Sequence, residues 1–353
     1  MKVKIFGAGS IGNHLANASI NLGWEVDICD VDPKALLRTK NEIYPSRYQK
    51  WNNKIRLFEN KNCPKEKYDL IFIGTPPETH INLALGALEE NPKAVIIEKP
   101  LCTPELTGIK KLQEMSKNQG IPVFVGYDHV VGMASEKLAK LLNEDLIGKI
   151  LTIDFEFREH WGGIFAAHHW LNGPEDSYLG NISKGGGASG EHSHALNLWQ
   201  YFSEIVGAGK VTEVQASMDI VSNKEVFYDR ICILNLKTET GLIGRVVQDV
   251  VTQPARKWGR IQGEKGYFEW ECGYEDGKDR VIKGINSKEK EIYVFEKSRP
   301  DDFIKELQHI ASSVNSKVFD SPLNLKHGLD TMRVLVAAHK SNSKKQAIPV
   351  DYN

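Results

Sequence analysis

Short apolar runs alternate with helical patterns over the first third of the chain. Strands are predicted in VKIF (3–6), EVDICD (25–30), KIRLF (54–58), DLIFIG (69–74), AVIIEK (94–99) and PVFVGY (122–127). Apolar residues recur at helical spacing from Leu15 to Leu22, from Pro33, after TPPETH (75–80) and over 104–119. Continuously apolar strands that alternate with helices are typical of a parallel sheet covered on both faces, so this part predicts a doubly wound α/β domain.

The pattern changes after residue 128, where longer strand patterns replace the strand–helix repeat. We expect a helix over 132–144, a strand over 148–159, an irregular loop over 165–181 and a helix over 190–204. Strand-like runs joined by tight turns then extend from 211 to 296, and helices over 301–315 and 324–341 follow. This half predicts an α+β domain with a large, mainly antiparallel open sheet that carries helices on one face.

The composition argues against several kinds of partner. The 353 residues are 41% hydrophobic and 26% charged with a formal net charge of -1, which gives no electrostatic reason to expect nucleic acid or an anionic membrane. No apolar run approaches the roughly 18 to 20 residues of a membrane span, and the first residues are predicted as a strand rather than a signal peptide.

The cysteines are far apart, which favours free thiols in a reducing cytoplasm over a disulfide framework and predicts a cytoplasmic protein. They are Cys29, Cys63, Cys102, Cys232 and Cys272.

The sequence GAGSIG (7–12) lies between the first predicted strand and the first predicted helix. Gly7 permits a tight turn, Gly9 lets a pyrophosphate approach the backbone, and Gly12 lets the helix pack closely on the sheet. Ser10 and Ile11 open the helix, whose N-terminal N–H groups and positive dipole end favour a phosphate. We therefore predict that these five residues bind a dinucleotide cofactor.

Asp30 ends the second predicted strand, about 20 residues after the glycines, where an acid binds the ribose hydroxyls in sites of this type. A carboxylate there would repel a 2′-phosphate, so the sequence favours NAD over NADP. The alternative is a turn role for Asp30 within DVDP (30–33). Asp32 is the predicted N-cap of the helix that starts at Pro33.

The chain thus divides into a dinucleotide-binding Rossmann domain, residues 1–128, and a substrate-binding and oligomerisation domain, residues 129–353. The final helix, 324–341, is a candidate to pack back toward the first domain. If the helix-free face of the second sheet is apolar, a partner subunit would cover it, which predicts a homodimer or homotetramer.

Several motifs occur in one order along nearly the whole chain. They are GAGSIG, GTPPETH (74–80), EKPL (98–101), VGYDH (125–129), LIGKIL (146–151), GGGASGEHSHALNLW (185–199) and GEKGYFEWE (263–271). In this order they resemble the motifs of the Gfo/Idh/MocA oxidoreductases. The resemblance implies that Lys99 lies near the nicotinamide and that the bond between Lys99 and Pro100 is cis. It also implies that the TPP turn and the EKP segment line the cofactor cleft, which adds Thr75, Pro76, His80, Glu98 and Lys99 to the predicted cofactor site.

The stretch GGGASGEHSHALNLW places three glycines before two histidines and an amphipathic run. On a continuous helix Glu191, His194 and Asn197 share a face, whereas the side chains of His192 and His194 diverge. The resemblance implies a catalytic role for His194 and substrate contacts for Glu191 and Asn197, with the glycines bringing the backbone close to the nicotinamide. The alternatives are an ordinary helix start and a metal held by both histidines. Their divergence disfavours the second, so no metal is predicted.

Further candidate substrate residues lie outside this stretch. VGYDH offers Tyr127 and Asp128, and it lacks the asparagine–x–arginine that often follows the tyrosine in the family. The histidine-rich loop before the glycines offers His168. Glu191 and Asn197 also depart from the family's usual acids, which leaves the identity of the substrate open.

The predicted reaction is hydride transfer between NAD and a secondary alcohol or ketone of a sugar, cyclitol or nucleotide sugar. Histidine is suited to accept the hydroxyl proton, and Lys99 can stabilise negative charge on the same oxygen or relay the proton. Which of the two side chains takes the proton stays open. The spacing of EHSH (191–194) resembles family members of surface-glycan pathways. The alternatives are an epimerase or two-substrate oxidoreductase with tightly bound NAD, and a non-catalytic NAD-binding regulator.

Overall fold

The computed structural model describes residues 1–286 and 288–353, and the chain divides into two compact units. The first unit consists of Met1–Asp128 and Arg299–Gly328, and the second consists of His129–Ser298 and Leu329–Asn353. None of the helices in the two described stretches combines the length with the apolar character that a bilayer-spanning segment needs.

The first unit is built on a parallel sheet. Its strands are β1 (Lys2–Phe6), β2 (Glu25–Asp30), β3 (Ile55–Glu59), β4 (Leu70–Ile73), β5 (Ala94–Glu98) and β6 (Val123–Gly126). Their order is β3-β2-β1-β4-β5-β6, and every residue of β4 and β5 is buried, as in a sheet covered on both faces. The predicted doubly wound fold is confirmed. The chain leaves β1 toward β2 and β3 and later returns to add β4 on the other side of β1, which creates the switch point where such sheets bind ligands.

The second unit is built on one large sheet. Its strands are β7 (Ile150–Arg158), β8 (Val211–Ser222), β9 (Phe227–Thr238), β10 (Ile243–Asp249), β11 (Arg256–Gly263), β12 (Gly266–Glu275), β13 (Lys278–Ile285), β14 (Glu291–Glu296) and β15 (Ile348–Pro349). Their order is β14-β13-β12-β11-β7-β10-β9-β8-β15, in which β7 and β10 run parallel and the other neighbours run antiparallel. The predicted large, mainly antiparallel sheet is confirmed.

The two faces of this sheet differ in chemistry. On the buried face, Phe155 and Phe157 of β7 pack into the core. On the opposite face, Asp154 pairs with Arg245 at 2.8 Å, and the side chain of Ile243 is exposed. The open face therefore mixes ion pairs with apolar side chains.

The helices have the following bounds in chain order. They are α1 (Ser10–Asn21), α2 (Pro33–Arg38), α3 (Tyr44–Tyr48), α4 (Pro77–Glu89), α5 (Ile109–Gln119), α6 (Met133–Leu142), α7 (Gly162–Ala167), α8 (Gly187–Glu191), α9 (His194–Ile205), α10 (Arg299–Ser316) and α11 (Leu325–Lys344). Helix α5 begins later than the predicted residue 104. Leu106 and Gly108 have positive φ angles of 56° and 81°, and this left-handed backbone cannot continue a right-handed helix.

Residues 299–328 belong to the first unit, although the sequence assigns them to the second domain. Helix α10 packs against α1, where the ring of Phe303 stacks on that of His14 at a centroid distance of 4.9 Å. After α10, the carbonyl of Leu323 accepts a hydrogen bond of 2.7 Å from the N–H of Val125 in β6. These contacts join distant parts of the sequence, so no local pattern indicates them.

The prediction that all cysteines are free is wrong for one pair. Cys29 at the end of β2 is bonded to Cys63, whereas Cys102, Cys232 and Cys272 form no disulfide bond within the described residues. The pairing of β2 with β3 places Cys29 opposite Phe58, and the short turn after β3 brings the chain back to a Cα–Cα distance of 6.0 Å. Because 34 residues separate the two cysteines, their spacing gave no sign of the bond. Cysteine usage therefore no longer supports a reducing compartment, and a cytoplasmic location stays a prediction.

Candidate active site

The glycines of GAGSIG have separate steric roles. A Cβ on Gly7, whose φ is +104°, would lie 2.5 Å from the carbonyl oxygen of Gly74, and a Cβ on Gly12 would lie 1.9 Å from that of Gly7. No described atom lies within 4 Å of a Cβ placed on Gly9, the residue that precedes α1. Space is therefore left over the backbone where the N–H groups of the first helical turn begin, at Ser10 and Ile11. This arrangement fits the pyrophosphate of a dinucleotide.

The acid at the end of β2 is tied to the glycine loop. One carboxylate oxygen of Asp30 accepts a hydrogen bond of 2.6 Å from the N–H of Ala8, and the other accepts one of 2.8 Å from the N–H of Asp32. A carboxylate has about four acceptor positions, so these two bonds leave capacity for ribose hydroxyls. Asp32 caps α2 by accepting a hydrogen bond of 2.9 Å from the N–H of Lys34, as predicted.

Arg47 is a candidate cofactor residue that the sequence did not indicate. It lies on α3, and its guanidinium donates a hydrogen bond of 2.7 Å to the hydroxyl of Ser10. This contact brings a positive charge to the start of α1, where a phosphate would bind. Because 37 residues separate the two side chains, no spacing pattern could have indicated the contact.

His80 joins the TPP turn to the EKP segment. Its imidazole is fully buried, with Nε2 2.7 Å from the carbonyl oxygen of Thr75 and Nδ1 3.1 Å from that of Pro100. Burial lowers the pKa of His80 to about 4, so the ring is neutral near pH 7 and donates its single N–H to one side. The buried ring joins these two backbone segments, and its role in the cofactor site stays a prediction.

The end of β5 carries the predicted lysine. Lys99 is partly exposed and its bond to Pro100 is cis, as the resemblance implies. Glu98 is buried, and a Cβ on Gly126 would lie 2.9 Å from its carboxylate, so this acid packs against the backbone of β6. Burial, followed by the charge of Glu98, raises the pKa of Glu306 on α10 well above its usual range, which favours a neutral carboxyl there.

The glycines before His194 are required by packing within the second unit. A Cβ on Gly186 would lie 2.1 Å from the carbonyl oxygen of Tyr178, and a Cβ on Gly190 would lie 2.0 Å from that of Gly185. Gly187 has a φ of +82°, and its Cβ would lie 2.0 Å from a carboxylate oxygen of Asp229. These contacts hold a tight loop at the start of α8.

The continuous helix predicted over 190–204 is broken. Helix α8 ends at Glu191, and α9 begins at His194. The shared face inferred for Glu191, His194 and Asn197 assumed one continuous helix, and the break at His192 and Ser193 separates Glu191 from the other two. Asn197 is 3% exposed and donates a hydrogen bond of 3.1 Å to the hydroxyl of Thr331 on α11.

His194 lies in aromatic surroundings at the start of α9. Its partly exposed ring is 4.7 Å from that of His129, edge to face, and 5.9 Å from that of Phe157. Glu191 is also partly exposed, and its carboxylate lies 3.4 Å from the hydroxyl of Tyr178, which can donate to it. The junction of α8 and α9 thus brings an acid and an imidazole to the partly exposed end of this motif.

The other predicted substrate residues have different surroundings. Tyr127 is buried, whereas Asp128 is partly exposed. His168 follows α7 within the loop predicted to be irregular, and its Nδ1 lies 2.6 Å from the carbonyl oxygen of Ile164. Within the first unit, the structure assembles the glycine loop with Asp30 and Thr75; a Cβ on Gly7 would lie 3.2 Å from the methyl group of Thr75.

Models of known protein families match both parts of the chain. A model of an oxidoreductase family with an NAD-binding Rossmann fold matches residues 1–127, and a model of the GFO/IDH/MocA C-terminal domain matches residues 135–269. Among curated proteins, no sequence matches the chain significantly.

Solved structures share the fold at low sequence identity. An oxidoreductase from Agrobacterium radiobacter in complex with NAD+, L-tartaric acid and magnesium is 18% identical with a TM-score of 0.76, over 99% of this chain and 98% of that chain. The WlbA dehydrogenase from Bordetella pertussis in complex with NADH and UDP-GlcNAcA is 19% identical with a TM-score of 0.70, over 100% and 99%. A levoglucosan dehydrogenase in complex with NADH is 16% identical with a TM-score of 0.77, over 99% of both chains. The two domain models of the Gfo/Idh/MocA family match residues 1–127 and 135–269. The protein therefore belongs to this family of NAD-dependent oxidoreductases.

Proposed function

We propose that the protein transfers a hydride between NAD and a secondary alcohol or ketone of a sugar, cyclitol or nucleotide sugar. The observation that carries this proposal is that the EKPL motif has a partly exposed lysine, Lys99, and that the motif with three glycines has a partly exposed histidine, His194. Lys99 follows β5 directly at the carboxyl edge of the parallel sheet, where this fold binds its ligands. His194 opens α9 directly after the glycine loop.

The two side chains are suited to the proton that accompanies hydride transfer. NAD, when bound, would supply the acceptor or donor of the hydride. His194 is the candidate general base for the hydroxyl proton of the alcohol, and Lys99 is the candidate donor that stabilises developing negative charge. Glu191 orients a neighbouring substrate hydroxyl. Gly9 and Arg47 bind the pyrophosphate of the cofactor, and Asp30 binds its ribose hydroxyls.

The proposed substrate class rests on the spacing of the motif and on the structural neighbours. The WlbA dehydrogenase was solved with UDP-GlcNAcA, and levoglucosan dehydrogenase is named for a sugar derivative. A nucleotide-activated sugar or amino sugar used in surface-glycan synthesis is therefore the first class to test. The assay is NAD reduction across sugars, cyclitols and nucleotide sugars.

Variants of the two side chains test the assignment of roles. Lys99→Ala and His194→Ala are each expected to lower turnover by about 100-fold or more, because general acid–base and oxyanion interactions contribute effects of this size. The affinity for NAD, measured by calorimetry, should stay nearly unchanged, and Lys111→Ala on the exposed side of α5 is the matched control. Near-normal turnover in both variants would defeat the assignment.

The same experiments separate the alternatives. Nicotinamide absorbance that persists in the purified protein, together with net epimerisation, would indicate a tightly bound cofactor. NAD binding without turnover of any tested substrate would indicate a regulator.

We also propose that the open sheet face joins copies of the chain. Support comes from apolar side chains on this sheet, such as Ile233 and Ile243, which are 39% and 60% exposed. Light scattering after gel filtration tests this, and Ile243→Glu should dissociate the oligomer if the face is the interface. A monomeric wild-type protein would contradict the proposal.

A further inference from the structure

Three side chains from different parts of the second unit meet at the start of α8. The N–H of Ser189 donates a hydrogen bond of 2.8 Å to Oδ2 of Asp229, and the Ser189 hydroxyl lies 2.9 Å from Oδ1 of the same carboxyl group. The hydroxyl also lies 3.1 Å from Nε2 of His339. Asp229 belongs to β9 and His339 belongs to α11. Ser189 therefore links a carboxyl group to an imidazole.

This chain of side chains runs from the core to the surface. Asp229 is fully buried, Ser189 is 1% exposed, and His339 is partly exposed. The carboxyl group also packs directly against Gly187, where any side chain would overlap it. Protons can therefore exchange with solvent at His339, while Asp229 holds the backbone of the glycine loop.

We propose that Asp229, Ser189 and His339 form a positioning relay that holds the loop before His194. In this relay, the position of a proton determines which hydrogen bonds hold the loop. The inference rests on the proposed function only for the importance of His194. The relay itself is a property of the second unit and does not require turnover to be detected.

The relay has two hydrogen-bonded forms with the same total charge. In one form, protonated Asp229 donates its O–H to the Ser189 hydroxyl, which donates its own O–H to Nε2 of neutral His339. In the other form, ionised Asp229 accepts the O–H of Ser189, and the Nε2–H of cationic His339 donates to the serine oxygen. Conversion breaks the O–H bond of Asp229 as a new O–H bond forms on Ser189. The original serine proton passes to Nε2 of His339 at the same time, and as pH rises the partly exposed imidazole releases one proton to solvent, which leaves Asp229 ionised.

The titration of Asp229 supports this arrangement. Burial raises the pKa of Asp229 to about 7, and the hydrogen bonds from the N–H and hydroxyl of Ser189 act in the opposite direction. Both forms of the carboxyl group are therefore populated near neutral pH. Histidine is the natural partner, because its ordinary pKa lies in the same range.

Several ionisable groups on the surrounding elements are neutral or paired. Burial raises the pKa of the Cys232 thiol well above its usual range, with the charge of Asp229 as the second cause, and burial raises the pKa of Tyr228. Arg230 pairs with Asp219 at 2.6 Å, and Arg158 pairs with Asp249 at 2.6 Å. Further titratable or charged residues on or next to these elements are Glu175, Tyr178, Lys184, Glu191, His192, His194 and Lys340.

The first test measures stability against pH. Because the pKa of Asp229 is higher in the folded than in the unfolded protein, its stabilising effect is full at low pH and is lost as pH rises through about 7. Between about pH 5 and about pH 8, this group should raise the unfolding equilibrium constant about 100-fold, and Asp229→Asn should remove that increase. Asp219→Asn on β8 is the matched control, because its side chain is 43% exposed, and it should keep the wild-type slope. Equal slopes in wild type and Asp229→Asn would overturn the proposal.

The second test measures the relay at its exposed end. The His339 proton resonance, assigned with His339→Gln, should shift its titration midpoint in both Ser189→Ala and Asp229→Asn. Ser203→Ala is the matched control, because this serine is equally buried and donates its hydroxyl to the carbonyl of Gly209, outside the relay. An unchanged His339 titration in both relay variants would refute the link. If Asp229→Asn does not fold, Ser189→Ala decides the question alone.

The two tests are independent of the proposed reaction. Near-normal turnover in both Lys99→Ala and His194→Ala would defeat the catalytic assignment and leave the relay measurements unaffected. Conversely, the absence of both relay signals would leave the assignment of Lys99 and His194 untouched.

Discussion

Replacing Gly187 by alanine tests the packing of the glycine loop. Gly187 has a φ of +82°, a conformation that disfavours a Cβ. The new Cβ would also lie 2.0 Å from Oδ1 of Asp229, far inside the ordinary contact distance of about 3.5 Å. Asp229 is fully buried, so its carboxyl group cannot swing into solvent. The substitution therefore has a conformational cost and a packing cost.

The two costs can be sized separately. The left-handed backbone costs an alanine about 1 to 2 kcal/mol. To relieve the overlap, the carboxyl group must move by about 1 Å or more, which breaks at least one of its two hydrogen bonds with Ser189. The packing cost is then about 1.5 to 3 kcal/mol, the contribution of one hydrogen bond to a charged group. We expect Gly187→Ala to destabilise the protein by about 3 to 5 kcal/mol, which is a large part of a typical folding free energy of about 5 to 15 kcal/mol.

Gly207→Ala is the matched control. Gly207 follows α9 with a φ of +71°, and no described atom lies within 4 Å of its Cβ position, so this variant has the conformational cost alone. Urea unfolding followed by tryptophan fluorescence is a suitable assay, because Trp161, Trp170, Trp199, Trp258 and Trp270 all belong to the second unit. Gly187→Ala should be less stable than Gly207→Ala by about 2 to 3 kcal/mol. Equal losses in the two variants would refute the argument that Asp229 requires glycine at this position.

Two further predictions concern the first unit. Gly9→Ala should leave the free energy of unfolding nearly unchanged, because its Cβ has space in the protein. It should weaken NAD binding by about 10-fold or more, because the same Cβ would occupy the predicted place of the pyrophosphate. Gly86→Ala in α4, also without a described neighbour within 4 Å, is the control and should bind NAD normally. Calorimetric titration with NAD decides this, and unweakened binding by Gly9→Ala would contradict the cofactor placement. His80, with its pKa lowered to about 4, should make the protein lose stability as pH falls from about 6.5 through about 4, by roughly 3 kcal/mol in total. His80→Asn should abolish that slope in urea titrations at each pH, and an acid slope that persists in the variant would assign it to other groups.

The sequence could predict the parts of the fold that depend on local patterns. The apolar runs of β4 and β5 indicate strands covered on both faces, and the structure buries all their residues. The dinucleotide site could be predicted for the same reason, because a strand, three spaced glycines, a helix and Asp30 follow one another within 30 residues. Each of these elements contacts its neighbour along the chain.

The features that the sequence missed depend on contacts between distant residues. The break between α8 and α9 and the bond between Cys29 and Cys63 have no signature in residue spacing. Helix α10 lies in the first unit, where Phe303 stacks on His14, a residue 289 positions earlier in the chain. Such contacts join residues far apart in the sequence, so patterns over ten or fifteen residues cannot predict them.

The two glycine motifs show this distinction most directly. In the first, the Cβ of Gly12 would overlap the carbonyl oxygen of Gly7, so the requirement lies within one turn of chain. In the second, a Cβ on Gly187 would overlap the carboxyl group of Asp229, which belongs to β9. The same carboxyl group accepts a hydrogen bond from Ser189, which precedes Asp229 by 40 positions. A spacing rule can therefore describe the first motif, whereas the second motif requires the sheet that carries the carboxyl group. For this reason a variant at Asp229 should disturb the loop before His194 even though it alters none of the motif's own residues.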